Sequence, residues 1–377
     1  MTMIQRFLMI IMGFFSLFAH ANDGAFYASG NHLIPIQENN IALKKEVLTL
    51  DWQAGGILVR VEYILDNPDT ARNLLVGFEA KSPEGDADIE PKKTGNPYIT
   101  NFSVVMNGEM LDHQVAIIES SDDLREYYKN NPIKPVDLKE IEEAWAGRME
   151  DFRWAGKYVY YFEAPFKKGR NSIIHEYFFE NSASIGVPFD MHYILTAANR
   201  WAGEEIGDFM LIISGVENKV FYMTQSFFES PDEWEMKGET KILPSLLSDE
   251  GKMVRFKPES NEIRFHKNNF TPQGELEIFV FDKRYFREPF DYREHRLDSF
   301  IHSEYPLIFN RAYDEESHRI LRNLPFAARG YTFKTHYIQH YYDGMDWYKP
   351  NPDYVINLNE LTPEEKQWLD MINAQKQ

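Results

Sequence analysis

The sequence predicts an α+β protein: a β-sandwich-like amino-terminal region with a helical insertion, followed by a small, mainly α-helical carboxyl-terminal domain. Three observations carry this expectation. Short runs with every second residue apolar recur between Val59 and Phe281, punctuated by Gly, Pro, Asn and Asp. An Asn107-Gly108 pair sits between two such runs, the strongest short-range signal for a hairpin. Beyond about Asp291 the alternation gives way to helix formers, charges and aromatic residues.

Taken in order, the chain begins with Arg6 ahead of an apolar run, Phe7 to Phe18, closed by Ala19-His20-Ala21. A positive start, about a dozen apolar residues and an A-x-A end form the pattern of a cleaved secretory leader, so residues 1–21 are expected to be a signal peptide and Asn22 the mature terminus. A lipid anchor would need a cysteine at the cleavage site, and the sequence has none. No later stretch has the roughly 20 apolar residues that span a bilayer. The expected location is therefore periplasmic or extracellular. With no cysteine to form disulfides there, the fold must stand on hydrophobic burial.

Val59, Val61, Tyr63 and Leu65 share one face of a strand with Arg60 and Glu62 on the other, and Asn67-Pro68-Asp69 ends it in a turn. Leu74, Val76 and Phe78 form a second strand. Around Asn107-Gly108, residues 102–106 and 109–118 read as the two arms of a hairpin. Residues 120–148 read as a helical insertion, with Asp137 and Glu140 resembling a capping pair ahead of Leu138, Ile141 and Trp145. Strands are expected again at 158–162, 172–179, 193–196, 209–214, 220–223, 253–256 and 276–281, a spacing that suits sandwich architecture. The expected division is residues 1–21 as leader, 22–300 as a β-rich region of one or two sandwich-like domains, and 301–377 as a helical domain, its helices beginning near Pro306.

The carboxyl-terminal stretch contains Leu321-Arg322-Asn323-Leu324-Pro325-Phe326-Ala327-Ala328-Arg329-Gly330-Tyr331-Thr332-Phe333, then Tyr341-Tyr342 and Trp347-Tyr348-Lys349-Pro350. This resembles the YARHG domain, a small bacterial extracytoplasmic module. Phe326 takes the motif's tyrosine position, Ala327 its alanine and Gly330 its glycine, while Ala328 replaces the arginine and Arg329 stands in place of the histidine. The resemblance covers about residues 309–377 and implies an exported protein with a helical module that mediates contacts. A weaker resemblance, on Asn22-Asp23-Gly24, Gly30, residues 41–50, the strand around Val59, Tyr193-Ile194-Leu195-Thr196, Trp201 and Ile206-Gly207-Asp208-Phe209, is to an exported bacterial β-rich domain of unknown function.

Charge narrows the partners. The formal net charge is −19, and removal of residues 1–21, with Arg6 their one formal charge, makes it −20. Such a chain repels phosphate backbones at long range, so no nucleic acid is expected. The sequence has no G-x-S-x-G, no G-x-x-x-x-G-K and no H-E-x-x-H; His175-Glu176 begins the last of these, but Phe179 occupies the second histidine's place. His336 and His340 have the spacing that brings two imidazoles to one helix face; the third ligand is the missing part, and although Asp343 and Asp346 are nearby, Tyr337, Tyr341 and Tyr342 suggest a packed aromatic surface. No metal or other cofactor is expected. Asp232, Glu233 and Glu235 around Trp234, or Glu204 and Glu205 beside Trp201, would suit an aromatic-plus-acid sugar site, with solvated loops as the expected reading.

Arg329 beside Gly330 and Tyr331 offers a planar donor fork to a partner carboxylate, or braces the turn that Gly330 permits. The expected function is non-enzymatic binding or assembly with an envelope protein or polymer, through an exposed surface of Arg322, Asn323, Arg329, Tyr331, Trp347 and Tyr348. The alternative is a carboxylate-dependent hydrolase of envelope polymers.

Overall fold

The computed structural model describes residues 21–29, 32–35, 40–81, 95–96, 98–119, 156–184, 186–247, 251–283, 286–297 and 311–374. Residues 1–20 of the expected leader, the helical insertion expected at 120–148 and Pro306 lie outside them. The chain divides into two compact units, Met1–Asp282 and Lys283–Gln377.

The first unit is built on three sheets. The largest runs in the order β15 (Trp234–Glu235), β18 (Glu262–Phe270), β13 (Ile206–Ser214), β3 (Ala42–Gln53), β4 (Gly56–Asn67), β10 (Gly169–Glu180), β6 (Ile99–Met106) and β7 (Glu109–Leu111). Its strands pair antiparallel except β13 with β3. A five-stranded sheet has the order β2 (His32–Pro35), β1 (Ala21–Ser29), β5 (Arg72–Lys81), β9 (Gly156–Phe166), β8 (Gln114–Glu119). A six-stranded sheet has the order β11 (Ser182–Ser184), β12 (Val187–Tyr193), β19 (Leu276–Val280), β14 (Phe221–Thr224), β17 (Lys252–Pro258), β16 (Gly238–Pro244).

Alternation explains how they stack. Val59, Val61, Tyr63 and Leu65 of β4 are buried on one face, while Arg60 on the other pairs with Glu62 at 2.9 Å and with Glu176 of β10 at 3.2 Å. Register places Leu48, Leu50 and Trp52 of β3, Tyr177 of β10 and Trp234 of β15 on the same face as Val59 and Val61. Across it, Phe78 of β5 meets Tyr177 at 5.1 Å and Tyr160 of β9 meets Phe102 of β6 at 4.6 Å. Farther along, Phe189 of β12 meets Trp52 at 4.7 Å and Phe256 of β17 meets Trp234 at 5.2 Å. One face of the large sheet thus backs both smaller sheets, and each aliphatic or phenyl side chain it buries contributes about 1.5–3 kcal/mol.

The expected hairpin turns at Asn107-Gly108, whose φ of 53° and 86° suit the type I′ geometry that this dipeptide favours. Its second arm is shorter than expected. β7 ends at Leu111, and after Asp112-His113 the chain enters β8, which pairs with β9 in the five-stranded sheet. Residues 109–118 therefore serve two sheets, a corner through which a sandwich closes. The strand expected at 193–196 stops at Tyr193 and becomes a 3-10 turn, Leu195–Arg200, with Ala197 and Ala198 buried.

The second unit contains α1 (Glu315–Ala327), α2 (His336–Asp343) and α3 (Pro363–Ala374). Its core gathers Ile320, Leu321 and Leu324 of α1, Ile338 and Tyr342 of α2, and Trp368 and Ile372 of α3. Phe290 and Leu297 join that core, within the unit Lys283–Gln377.

Candidate functional site

The motif residues of the second unit lie where α1 ends, and the sequence dictates how it ends. Pro325 has no N–H to donate to the carbonyl of Leu321 one turn back. The indole Nε1–H of Trp368 on α3 donates to that oxygen instead, at 2.9 Å. After Ala328 the helix closes with two crossing bonds, Gly330 N–H to Ala327 C=O at 2.8 Å and Tyr331 N–H to Phe326 C=O at 3.0 Å. This Schellman closure requires a left-handed residue, supplied by Gly330 at φ 80°. A Cβ at Gly330 would also stand 2.3 Å from the carbonyl oxygen of Lys349. Conformation and space both call for glycine.

Arg329, one residue earlier, faces inward. Its Nη2 donates to Glu365 Oε2 at 2.7 Å and to the Glu360 carbonyl at 3.0 Å, and its Nη1 donates to Glu365 Oε1 and to the Pro325 carbonyl at 2.9 Å. The hydrogen bonds to Glu365 hold the guanidinium above its ordinary pKa. Glu365 is only 5% exposed and also accepts the Thr362 N–H at 2.8 Å, while Thr362 Oγ1 accepts the Glu365 N–H at 3.3 Å. That reciprocal pair is a capping box at the start of α3. Arg329 thus ties the last turn of α1 to the first turn of α3, as the turn brace weighed beside its binding role.

The other expected site residues divide between interior and surface. Tyr348 is buried, contrary to the exposed position expected of it; its hydroxyl donates to the Tyr331 carbonyl at 2.8 Å and lies 3.1 Å from the donor Gln339 Nε2. Trp347 is half-buried, and its Nε1–H donates to the Leu297 carbonyl at 2.9 Å. Asn323 returns its amide to the Arg319 carbonyl of its own helix. Arg322 is exposed. Tyr331 is half-buried, edge-on to Phe333 at 5.0 Å and to Tyr354 at 6.5 Å.

Beyond Tyr354 lies a segment that the sequence reading passed over. Val355 is 79% exposed, Ile356 37% and Leu358 61%, which concentrates three of the exposed large hydrophobic side chains of the described residues within four positions. Asn351, Pro352 and Asp353 before them, and Asn357, Asn359 and Glu360 among and after them, are exposed and mostly polar. The segment is anchored at both ends: Asn351 N–H donates to the Gly330 carbonyl at 2.7 Å, and Glu360 receives Arg329. The available signal was three aliphatic residues in a loop with proline and asparagine around them.

In the first unit, the aromatic-plus-acid sugar candidates dissolve. Trp201 and Trp234 are 3% and 5% exposed, with their rings in the core. Glu233 closes a capping box with Ser230 and pairs with Lys267 at 2.8 Å. Glu275 and Glu277 lie close together at the start of β19. Thr196 donates its hydroxyl to Glu275 Oε1 at 2.5 Å and its N–H to Oε2 at 3.1 Å. Glu277 accepts the Thr224 hydroxyl at 2.6 Å and lies 3.2 Å from His192 Nδ1. Burial raises the Glu275 pKa, against its bonds to Thr196, and the charge of Glu277 raises it further. Each acid holds structural neighbours, and a crevice lined by Tyr63, Leu65, Val76, Ile173 and Trp201 leaves no volume for a ligand. Among the described residues no group of three or more His, Asp or Glu side chains is placed to hold a metal ion.

Residues 310–377 match the YARHG domain. No curated protein matches the chain. A crystal structure of a candidate nutrient-binding protein from Legionella pneumophila is similar at 16% identity and a TM-score of 0.45, covering 96% of this chain and 100% of that one. YARHG domains occur in extracellular proteins, and no helix of the described residues is long and apolar enough to cross a membrane.

Proposed function

We propose that this chain is an exported binding protein of the cell envelope, periplasmic or secreted, whose carboxyl-terminal unit docks an envelope protein or polymer through the apolar segment Val355-Ile356-Asn357-Leu358 and the neighbouring Tyr331 and Tyr354. The exposure of three aliphatic side chains in one anchored loop carries this reading. Apolar atoms gathered at a polar surface gain free energy when a partner covers them, and contiguous patches of this kind mark interaction sites. Arg329, Trp347 and Tyr348 serve this surface by fixing the ends of α1, α2 and α3, while Arg322 and Asn323 lie on the exposed side of α1 as further contact residues.

The test compares residues 22–377 with the Val355→Asp, Leu358→Asp double variant for retention on isolated cell-wall sacculi and for recovery of a defined protein from soluble periplasmic extract. Exposed substitutions of this kind change stability by only about 0.5 kcal/mol. Retention or capture by the parent chain that the variant loses supports the surface. Equal behaviour of the two chains overturns it, and release of soluble polymer fragments by both points to the hydrolase.

A further inference from the structure

We propose that His336 and His340 form a solvent-open, two-imidazole site for a late first-row divalent metal ion on the outer face of α2. The helix makes the pair. Ile338, Tyr341 and Tyr342 turn inward and are 2%, 8% and 0% exposed, and the Tyr342 hydroxyl donates to the Ile320 carbonyl at 2.7 Å. A helix pinned along that face must carry residues 336 and 340 together on the opposite side, one turn apart. The tyrosines that suggested a packed surface around the histidines therefore anchor the backbone and leave both imidazoles in solvent.

The two rings lie 6.2 Å apart between centroids and only 10° from parallel. A bound ion sits about 2.0–2.1 Å from each imidazole nitrogen, so two rings sharing one ion have centroids about 4–6 Å apart. Both side chains are exposed, so rotation about χ1 and χ2 must turn the stacked rings until one nitrogen of each points at a common ion.

Among the described residues neither imidazole has a hydrogen-bond or ion-pair partner; His113 has none either, but its ring packs against Phe102 at 4.9 Å and Tyr160 at 5.9 Å. His175 and His192 are buried in the β-rich unit, His266 pairs with Asp208 at 2.8 Å, and His318 bonds the Ile372 carbonyl at 2.9 Å. Asp343 falls on the same helix stripe but accepts the amide of Gln339 at 2.8 Å. The protein thus supplies two nitrogen donors and leaves about two positions of a four-coordinate ion to water or to a donor from outside. Imidazole pairs favour copper, nickel and zinc over magnesium and calcium. The net charge of −19 raises the local concentration of any cation.

The experiment titrates residues 22–377 with Cu²⁺, reading affinity by calorimetry and donor set by electron paramagnetic resonance. The expected result is one site with two nitrogen donors. His336→Ala and His340→Ala should each weaken it by at least about tenfold, since even outer-shell partners of a metal ligand are worth roughly 10–100-fold, and each should leave a one-nitrogen spectrum. Alanine favours the helix, so the fold survives both changes. A copper affinity and spectrum unchanged in both single variants, or no binding beyond that of the His336→Ala, His340→Ala double variant, overturns the proposal.

Discussion

Replacing Arg329 with alanine should loosen the carboxyl-terminal unit by about 3 kcal/mol. The substitution strands Glu365, 5% exposed, with the Thr362 N–H as its remaining partner, and it frees the carbonyls of Pro325 and Glu360. Removing one partner of a buried ion pair costs about 3–5 kcal/mol. The Arg329 side chain is 22% exposed, so water entering its place relieves part of the penalty and the lower end applies. Arg329→Lys should recover little, because an ammonium cannot span both carboxylate oxygens and two carbonyls as a guanidinium does. Arg329→Met combined with Glu365→Leu should be milder than the sum of the single changes, with a coupling of about 2 kcal/mol. Hydrogen exchange read by mass spectrometry measures the opening free energy of amides in residues 315–374, with the β-rich unit as an internal standard. A loss below about 0.5 kcal/mol for Arg329→Ala, or an additive cycle, would refute the brace.

Gly330→Ala should cost at least about 2 kcal/mol, combining the left-handed penalty for a residue with a Cβ with the contact to Lys349; denaturant unfolding of the second unit checks this, and a neutral effect would contradict the closure geometry. Glu275→Gln should raise the melting temperature at pH 7 and lose that advantage near pH 4. The folded-state pKa of Glu275 is raised, so its favourable contribution is complete below the unfolded value and is lost as pH rises through the folded one. The amide can still accept a bond from Thr196. Melting curves across that range test the sign, and a difference that does not change with pH would exclude the burial effect.

Several features were legible from a few neighbouring residues. Val59 to Leu65 showed which face of β4 would be buried, Asn107-Gly108 placed a turn at positive φ, and the order of glycine and aromatic positions marked the YARHG match that residues 310–377 carry. The helical spacing of His336 and His340 was visible as well. Their exposure was not, because the inward turn of Tyr341 and Tyr342 depends on contacts with Ile320 and His295 on other segments. The same limit hid the split of residues 109–118 between two sheets, the burial of Trp201 and Trp234, and the choice of Glu365, 36 residues away, as the partner of Arg329. Backbone conformation and alternation are set by sterics within a few residues and so can be read along the chain. Which face meets which, and which carboxylate meets a guanidinium, is settled by burial shared among segments tens to hundreds of residues apart, and only the tertiary structure decides it.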